Sequence, residues 1–320
     1  MECPFCTASP PEEDLFCEAC GKPLQTQQSA ATVGGCACGA PAEEIDEEGY
    51  CGRCGHLSHR PPSDHMELVL SDNFAGVTDR GVKHQRNEDR FAMRQVGNAY
   101  VLVVCDGVSS STQPELASSS VTVHVAEALE ASLRRHSASS PERTVRTAIQ
   151  AAQASLETES VAAGDPPSTT VVAALVKGRN VTLGWAGDSR AYWIDASGET
   201  LQLTTDHSWM NEIVSSGEMN LEEAARSPKA HGITHWLGAD ARENAQPEVS
   251  HFTIPGAGHL LLCSDGLWNY AQEPEQIGAL LQPAEVIDIA RRMIEYANQQ
   301  GGHDNITAVL LRFPTIASAH

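Results

Sequence analysis

The sequence lacks the features that would assign it to a membrane or to a nucleic acid. It contains no run approaching the ~20 apolar residues of a membrane-spanning helix, and its first residues lack the apolar core of a signal peptide. Its formal net charge is -21, and no cluster of Lys and Arg interrupts that negative balance. Because nucleic-acid binding draws most of its affinity from basic clusters, the composition argues against that partner. We expect a cytoplasmic protein that binds neither a membrane nor a nucleic acid.

Cysteine is scarce in most of the chain but abundant at its beginning. Eight of the ten cysteines precede residue 55, in two sets of four. The sets are Cys3, Cys6, Cys17 and Cys20, followed by Cys36, Cys38, Cys51 and Cys54. Closely paired thiolates suit tetrahedral zinc, and segments this small depend on a metal for their folding energy. The sequence therefore predicts two structural Zn²⁺ in zinc ribbons that span residues 1–25 and 33–57.

The role of these ribbons is constrained by charge. A disulfide framework is the alternative for the cysteines, but a reducing compartment favours zinc. Residues 1–60 carry ten Asp or Glu against three Lys or Arg, which favours protein binding over nucleic-acid binding. A spacer without a partner is the other possibility. The polar segment 58–67, which contains Pro61-Pro62, is predicted to be a linker.

From about Leu68 the pattern predicts a second, larger domain over residues 68–314. Short apolar runs are typical of buried strands, and longer amphipathic stretches with Pro near the start are typical of helices. The predicted strands are Tyr100–Cys105, Thr170–Val176, Val181–Ala186, Ala191–Ile194, Leu260–Cys263 and Ile306–Phe313. The predicted helices are Pro114–Arg135, Pro141–Ala162 and Pro283–Gln299. Blocks of strands with helices between them predict an α+β fold, a sandwich of two antiparallel sheets flanked by helices.

Five acidic positions in this domain indicate a metal site. Asp106 follows the apolar run Val101–Cys105, and Asp265 follows Leu260–Cys263. The other positions are Glu88-Asp89, Asp188 and Asp304. A fold that aligns the strand ends would gather these carboxylates at one rim, where they would repel one another unless a hard divalent cation lay between them.

The motifs around these positions resemble those of a known family. In order they are Thr78-Asp-Arg-Gly81, Asn87-Glu-Asp89, Asp106-Gly107, Ser168-Thr-Thr170, Gly187-Asp-Ser-Arg190, Leu203-Thr-Thr-Asp-His207, Leu237-Gly238, Ser264-Asp-Gly-Leu267 and Asp304-Asn-Ile-Thr307. This series resembles the PPM-type, metal-dependent protein serine/threonine phosphatases, and their bacterial branch in particular. The resemblance covers roughly residues 68–314 and implies a four-layer α-β-β-α sandwich with a binuclear metal centre at one end. The cysteine-rich segment lies outside it.

The resemblance also implies metal roles for individual residues. Asp106 would bridge two cations, Mn²⁺ or Mg²⁺, and Asp265 and Asp304 would complete the shell of the first. The Gly107 carbonyl, with Glu88 directly or through water, would serve the second.

Two further carboxylates would support that centre. Asp89 would hold metal-bound water, and Asp188 would help to bind a third cation. All-oxygen ligation of this kind selects hard cations. Two such cations can generate hydroxide at neutral pH for in-line attack on phosphorus, so neither Cys105 nor Cys263 is expected to be a nucleophile.

Two departures from the family pattern bear on catalysis. Many members place an Arg four residues before the Glu of the Asn-Glu-Asp motif, but here that position is His84. Arg86 could substitute as the phosphate-binding residue, or His84 could act as a general acid. After Asp106-Gly107, the chain has Val108-Ser-Ser-Ser-Thr112 where bacterial relatives usually have a glycine-rich turn.

Three functional hypotheses follow. The favoured one is an active phosphatase for phosphorylated proteins that opposes a serine/threonine kinase or acts on its substrates, with the ribbons recruiting a protein partner. The second is a catalytically weak phosphatase-fold protein that serves as a phosphoprotein-binding scaffold. The third, disfavoured by charge, is a zinc-ribbon adaptor for nucleic acid.

Overall fold

The computed structural model divides the chain into two units, Met1–Arg60 and Pro61–His320. The residues that it describes are 40, 41, 44, 51–54, 64–135, 139–160, 167–230, 232–239, 241 and 246–314. In the first unit, Cys51 is buried against Ala40 and Cys54 is exposed. The Gly52 amide donates to the Glu44 carbonyl at 2.8 Å. The other predicted zinc ligands lie outside the described residues, so the two ribbons stay a prediction.

The second unit contains strands and helices in blocks. In chain order they are β1 (His65–Ser71), β2 (Phe74–Asp79), β3 (Arg90–Val96), β4 (Ala99–Cys105), α1 (Pro114–Arg134), α2 (Pro141–Ser160), β5 (Ser168–Thr169), β6 (Val171–Lys177), β7 (Asn180–Ala186), β8 (Arg190–Asp195), β9 (Thr200–Gln202), α3 (Trp209–Ser215), α4 (Leu221–Ala225), β10 (Leu237–Gly238), β11 (Glu248–Thr253), β12 (Gly258–Cys263), α5 (Asp265–Trp268), α6 (Pro274–Ala279), α7 (Val286–Gln299) and β13 (Ile306–Phe313). No helix of the described part is both long and apolar enough to cross a membrane.

Two antiparallel sheets organise this unit. The six-stranded sheet has the order β1-β2-β13-β12-β8-β9, and the five-stranded sheet has the order β11-β7-β6-β4-β3. Neighbouring strands in both sheets pair antiparallel. The predicted combination of two antiparallel sheets with several helices is confirmed.

Three apolar clusters hold the layers together. One lies between the two sheets and includes Leu102, Leu183 and Leu260. A second joins α1 and α2 to the five-stranded sheet, and a third joins α7 to the six-stranded sheet. Each sheet therefore has the other sheet on one face and helices on its opposite face.

Strand β4 shows why an uninterrupted apolar run is needed in this arrangement. Successive side chains of a strand point to opposite faces of the sheet. Val101 and Val103 accordingly pack in the cluster with α1 and α2, whereas Leu102 and Val104 pack between the sheets. Both faces are buried, and each such side chain contributes on the order of 1.5–3 kcal/mol by leaving water. The strand ends at Cys105, which delivers Asp106 to the end of the sheet.

Two predicted boundaries need correction. Strand β1 begins at His65, inside the predicted linker 58–67 and before the predicted domain start at Leu68. Most of its side chains are exposed at the edge of the sheet, so it has no buried apolar pattern to reveal it. The last helix begins at Val286, not at Pro283. Glu285, just before it, has an extended backbone with φ -61° and ψ 148°, so the helical turn starts only at Val286.

Candidate metal centre

The predicted carboxylates meet at one rim of the sandwich because the strands that carry them are in register. Asp106 follows β4, whose Cys105 pairs with Arg90 at the start of β3, just after Asp89. Asp265 lies beyond the end of β12, and Asp304 precedes β13. Strand β12 pairs with β13 through Cys263 and Ala308, so their carboxylates lie at the same end. Asp188 belongs to the turn between β7 and β8 at this rim.

Each of these carboxyl groups makes ionisation of the others less favourable. Burial raises the pKa of Asp106 well above its usual range, and the charges of Asp89, Asp265, Asp304 and Asp188 raise it further. Burial likewise raises the pKa of Asp265 to about 6, with Asp304 adding to the effect. The pKa of Asp188 is raised well above its ordinary value by burial and then by Asp265. Positive charge placed among these groups would stabilise their ionised forms.

Asp89 is fully buried and tied to two hydroxyl groups. Its Oδ2 accepts from Ser264 Oγ at 2.6 Å and from Thr307 Oγ1 at 2.7 Å. Burial raises the pKa of Asp89 to about 7 against the lowering effect of these two hydrogen bonds. The hydroxyls therefore fix the orientation of the carboxylate toward its neighbours at the rim.

The oxygen donors at the rim suit a hard cation, although the side chains do not form a complete coordination shell. Asp89 Oδ1 and Asp265 Oδ1 are buried without a hydrogen-bond partner. Buried carboxylate oxygens are costly in that condition, and Mn²⁺ or Mg²⁺ is the kind of ion that all-oxygen sites satisfy. Within the described ranges, no group of three or more His, Cys, Asp or Glu side chains lies close enough together, as the side chains stand, to hold a metal ion. The fit accordingly rests on the unpartnered oxygens and on the mutual repulsion of the carboxyl groups.

Glu88 and Gly107 lie side by side at the same rim. The Glu88 amide donates to Asn305 Oδ1 at 2.7 Å, and its Oε2 accepts from Ser109 Oγ at 2.6 Å. A Cβ at position 107 would lie 2.8 Å from Pro114 and 2.9 Å from the Glu88 carbonyl oxygen. Only glycine therefore lets these two backbone segments approach so closely.

The two candidate substrate-binding residues diverge. His84 stays at the rim, where its Nε2 lies 3.2 Å from Asp304 Oδ1. Arg86 instead reaches the first turn of α1, where its Nη1 donates to Glu115 Oε1 at 2.7 Å. His84 thus contacts a predicted metal ligand, and Arg86 contacts an acid at the start of α1.

The two cysteines of this unit lie within β4 and β12. Cys105 and Cys263 are buried, and burial raises the pKa of the Cys105 thiol to about 12. The pKa of Cys263 is also raised by burial. A buried thiol held in its protonated form is a poor nucleophile, as predicted from the sequence.

Several supporting residues were part of the motifs but had no predicted role. Asn305 holds the Asn87-Glu88-Asp89 loop, because its Nδ2 donates to the Arg80 and Arg86 carbonyls at 2.8 and 3.0 Å. Thr170 Oγ1 accepts from the Asp106 amide at 3.2 Å. Their signal in the sequence was adjacency to the acidic positions, but adjacency alone does not show which backbone segment a side chain will bind.

The chain is similar to known phosphatases over most of its length. Residues 78–311 match the family described as protein phosphatase 2C. The serine/threonine phosphatase stp of Listeria welshimeri is 30% identical over 239 residues, which cover 73% of this chain and 93% of the relative.

Solved structures give the same result for the fold. The serine/threonine phosphatase Stp1 from Staphylococcus aureus has 30% sequence identity and a TM-score of 0.66, covering 78% of this chain and 98% of its own. The catalytic domain of the serine/threonine protein phosphatase PstP, solved in complex with two manganese ions, has 27% identity and a TM-score of 0.60, covering 75% of this chain and 98% of its own. The chain is therefore an enzyme of the protein phosphatase 2C family.

Proposed function

We propose that this enzyme hydrolyses phosphoserine and phosphothreonine in proteins with the help of Mn²⁺ or Mg²⁺. The observation that carries the proposal is the gathering at one rim of carboxyl groups that raise one another's pKa and leave two buried oxygens without a partner. Serine/threonine phosphatase relatives and a relative with two manganese ions support the same substrate and metal.

Each carboxylate has a place in the proposed centre. Asp106 would bridge two cations, Asp265 and Asp304 would complete the ligands of the first, and Glu88 with the Gly107 carbonyl would serve the second. Asp188 would help to bind a third cation. When bound, such cations supply charge neutralisation and an activated water for phosphoryl hydrolysis.

The chain's own residues would orient the reactants and hold the charges apart. Ser264 and Thr307 keep Asp89 facing the rim, where its unpartnered Oδ1 can accept a hydrogen bond from water. His84, beside Asp304, is the side chain that could contact the substrate phosphate or donate a proton to the leaving oxygen. Positioning and electrostatics would account for most of the catalysis, because the phosphoryl transition state is loose.

We propose that the cysteine-rich segment supplies partner recognition. Zinc ribbons at residues 1–25 and 33–57 would bind a protein, such as a serine/threonine kinase or one of its substrates, in the cytoplasm. The acidic balance of residues 1–60 supports a protein partner. With β1 included, the phosphatase domain would extend from His65 to Pro314.

A catalytically weak, phosphoprotein-binding scaffold is the second candidate. Two features favour it. Ser109 donates a hydrogen bond to one carboxylate oxygen of Glu88, and His84, beside Asp304, stands where many family members have an arginine. A neutral imidazole binds phosphate less firmly than a guanidinium, which stays charged and binds bidentately.

Hydrolysis of a phosphothreonine peptide by the full-length protein separates the two candidates. The assay is run with Mn²⁺, with Mg²⁺ and with chelator, beside the Asp265→Asn variant. The enzyme proposal predicts metal-dependent turnover that the variant loses. Peptide binding without turnover, in both wild type and His84→Arg, would instead support the scaffold.

A further inference from the structure

A pocket of about 320 Å³ adjoins the carboxylate rim on the side of α3 and α4. It begins at Asp188 and extends to Met210 and Ala225, with Trp268 contributed by α5. Its volume lies at the lower end of the range for small-molecule sites, which suits a single side chain better than a large cofactor.

Two of the three charged residues that line the pocket, Arg190 and Asp206, are paired with each other, and the third is Asp188 at the rim. Arg190 donates to both oxygens of Asp206, from Nε at 2.9 Å and from Nη2 at 2.6 Å. Its guanidinium carbon also lies 3.6 Å from the centroid of the Trp268 ring. This bidentate pair leaves little net charge at that end of the pocket, so a charged ligand would find no unpaired partner there.

Of the uncharged lining residues, Met210, Ala225, Ala230 and Trp268 form an apolar wall, and Ser208 and Gln272 are polar. Met210, near the start of α3, and Ala225, at the end of α4, face the space together with Trp268. Met adapts to irregular apolar shapes, and removal of an apolar side chain from water into such a space is favourable. An aliphatic group is therefore the best match to the surface.

The pocket is continuous with the proposed reaction site through Asp188. That residue lines the pocket, and its backbone carbonyl accepts from Trp268 Nε1 at 3.0 Å. A substrate whose phosphate lies at the rim would have its neighbouring residues within reach of the pocket.

We propose that this pocket binds an aliphatic side chain of the substrate protein that is adjacent in sequence to the phosphorylated residue. This inference rests on the proposed function, and it assigns substrate selection to Met210 and Ala225. The enzyme would prefer phosphothreonine or phosphoserine flanked by an aliphatic residue over the same residue flanked by a small or acidic one.

The test compares phosphothreonine peptides that carry Leu, Ala or Glu immediately before or immediately after the phosphothreonine. We expect kcat/KM for the Leu peptide to exceed that for the Ala peptide by roughly tenfold at one of the two positions, as apolar pockets typically discriminate. Fluorescence anisotropy of the same labelled peptides reports binding without turnover. Equal values for Leu and Ala at both positions would overturn the proposal.

Ala225→Phe fills the pocket from an exposed helix position. In this variant, kcat/KM for the Leu peptide should be about equal to kcat/KM for the Ala peptide. Leu221→Phe is the matched control, because it enlarges an exposed residue of the same helix that does not line the pocket. The readout is the ratio of kcat/KM for the Leu peptide to that for the Ala peptide, because a general loss of activity in a variant lowers both values alike. A Leu preference that persists in Ala225→Phe would contradict the proposal. If wild type hydrolysed none of the substrates, the proposed function would be wrong. The pocket would then be tested by fluorescence anisotropy alone, and equal affinities for the Leu and Ala peptides would overturn it.

Discussion

The two ends of strand β8 carry aspartates in opposite electrostatic conditions. Asp195 ends the strand, and its Oδ1 accepts from the Ser197 amide at 2.8 Å, from Ser197 Oγ at 2.7 Å and from the Glu199 amide at 3.0 Å. These hydrogen bonds, led by that of the Ser197 hydroxyl, lower the pKa of Asp195. Asp188, just before the strand, has its pKa raised well above the ordinary value by burial and by Asp265.

The difference distinguishes an aspartate that stabilises a turn from one that is kept for a ligand. Asp195 satisfies backbone donors of its own turn, which is the common role of this residue type. Asp188 and its neighbours at the rim face other carboxylates, an arrangement that costs stability unless a cation is bound. The two aspartates therefore differ in pKa because of their burial and the number of hydrogen-bond donors around them, not because of their residue type.

Substitution at the carboxylate rim, which β8 meets at its Asp188 end, and substitution at the opposite end of β8 should have very different effects on activity. Asp106→Asn removes the proposed bridging carboxylate and should lower Mn²⁺-dependent hydrolysis of a phosphothreonine peptide by roughly a thousandfold. Asp195 lies at the end of β8 that is far from the rim, and Asp195→Asn does not change the size of the side chain. The activity of this variant should therefore stay within about twofold of wild type. A comparable loss in both variants would erase the distinction between the ends.

Removal of Mn²⁺ should affect the stability of the phosphatase domain only through the rim. Mn²⁺ at about a hundred times its dissociation constant should raise the free energy of unfolding of wild type by about 2.7 kcal/mol for each bound ion. In chelator, Asp106→Asn should melt at a higher temperature than wild type, because one of several repelling carboxylates is gone. Thermal unfolding followed by circular dichroism measures both effects, and Asp195→Asn serves as the control that should gain as much from Mn²⁺ as wild type. Equal gains in Asp106→Asn would show that Mn²⁺ stabilises the chain elsewhere.

Replacement of the rim histidine should strengthen substrate binding. His84→Arg places a guanidinium beside Asp304 and should lower KM for a phosphopeptide by roughly tenfold, because the guanidinium binds phosphate bidentately and stays charged. Steady-state kinetics at fixed Mn²⁺ provide the measurement. Arg86→Gln should change KM little, since that side chain contacts Glu115. A larger effect from Arg86→Gln than from His84→Arg would reverse the assignment.

The smallest expected effect concerns Ser109, in the turn after Gly107. Ser109→Ala frees Glu88 Oε2 from a hydrogen bond of 2.6 Å and should tighten Mn²⁺ binding a few-fold. Isothermal titration calorimetry of the chelator-treated protein would detect this change. Ser110→Ala removes a neighbouring exposed hydroxyl and is the matched control. Weaker Mn²⁺ binding by Ser109→Ala would mean that the hydroxyl instead holds Glu88 in its binding position.

The strands that are buried on both faces of a sheet, and the acidic residues that follow them at the rim, could be predicted from the sequence. Tyr100–Cys105 was predicted and β4 spans Ala99–Cys105, because burial on both sides requires an uninterrupted apolar run. The acid that follows such a run has to emerge at the sheet end, which made Asp106 and Asp265 recognisable. Strand β1 was missed because its exposed edge position imposes no apolar pattern.

The contacts of individual rim side chains could not be derived from the sequence. Asn305 supports Glu88 across 217 positions of the chain, and only the completed fold brings them together. The sequence likewise could not show which acid each candidate substrate-binding residue meets, Asp304 for His84 and Glu115 for Arg86. Such choices depend on distances between segments that local pattern does not encode.

Equilibrium dialysis against Mn²⁺ tests the central claim most directly. Wild type and Asp195→Asn are predicted to retain two Mn²⁺ per chain, as expected for a binuclear centre, and Asp106→Asn is predicted to lose both. If Asp106→Asn bound Mn²⁺ as well as wild type does, the rim would not be the metal centre, and the account of its carboxylates would be wrong.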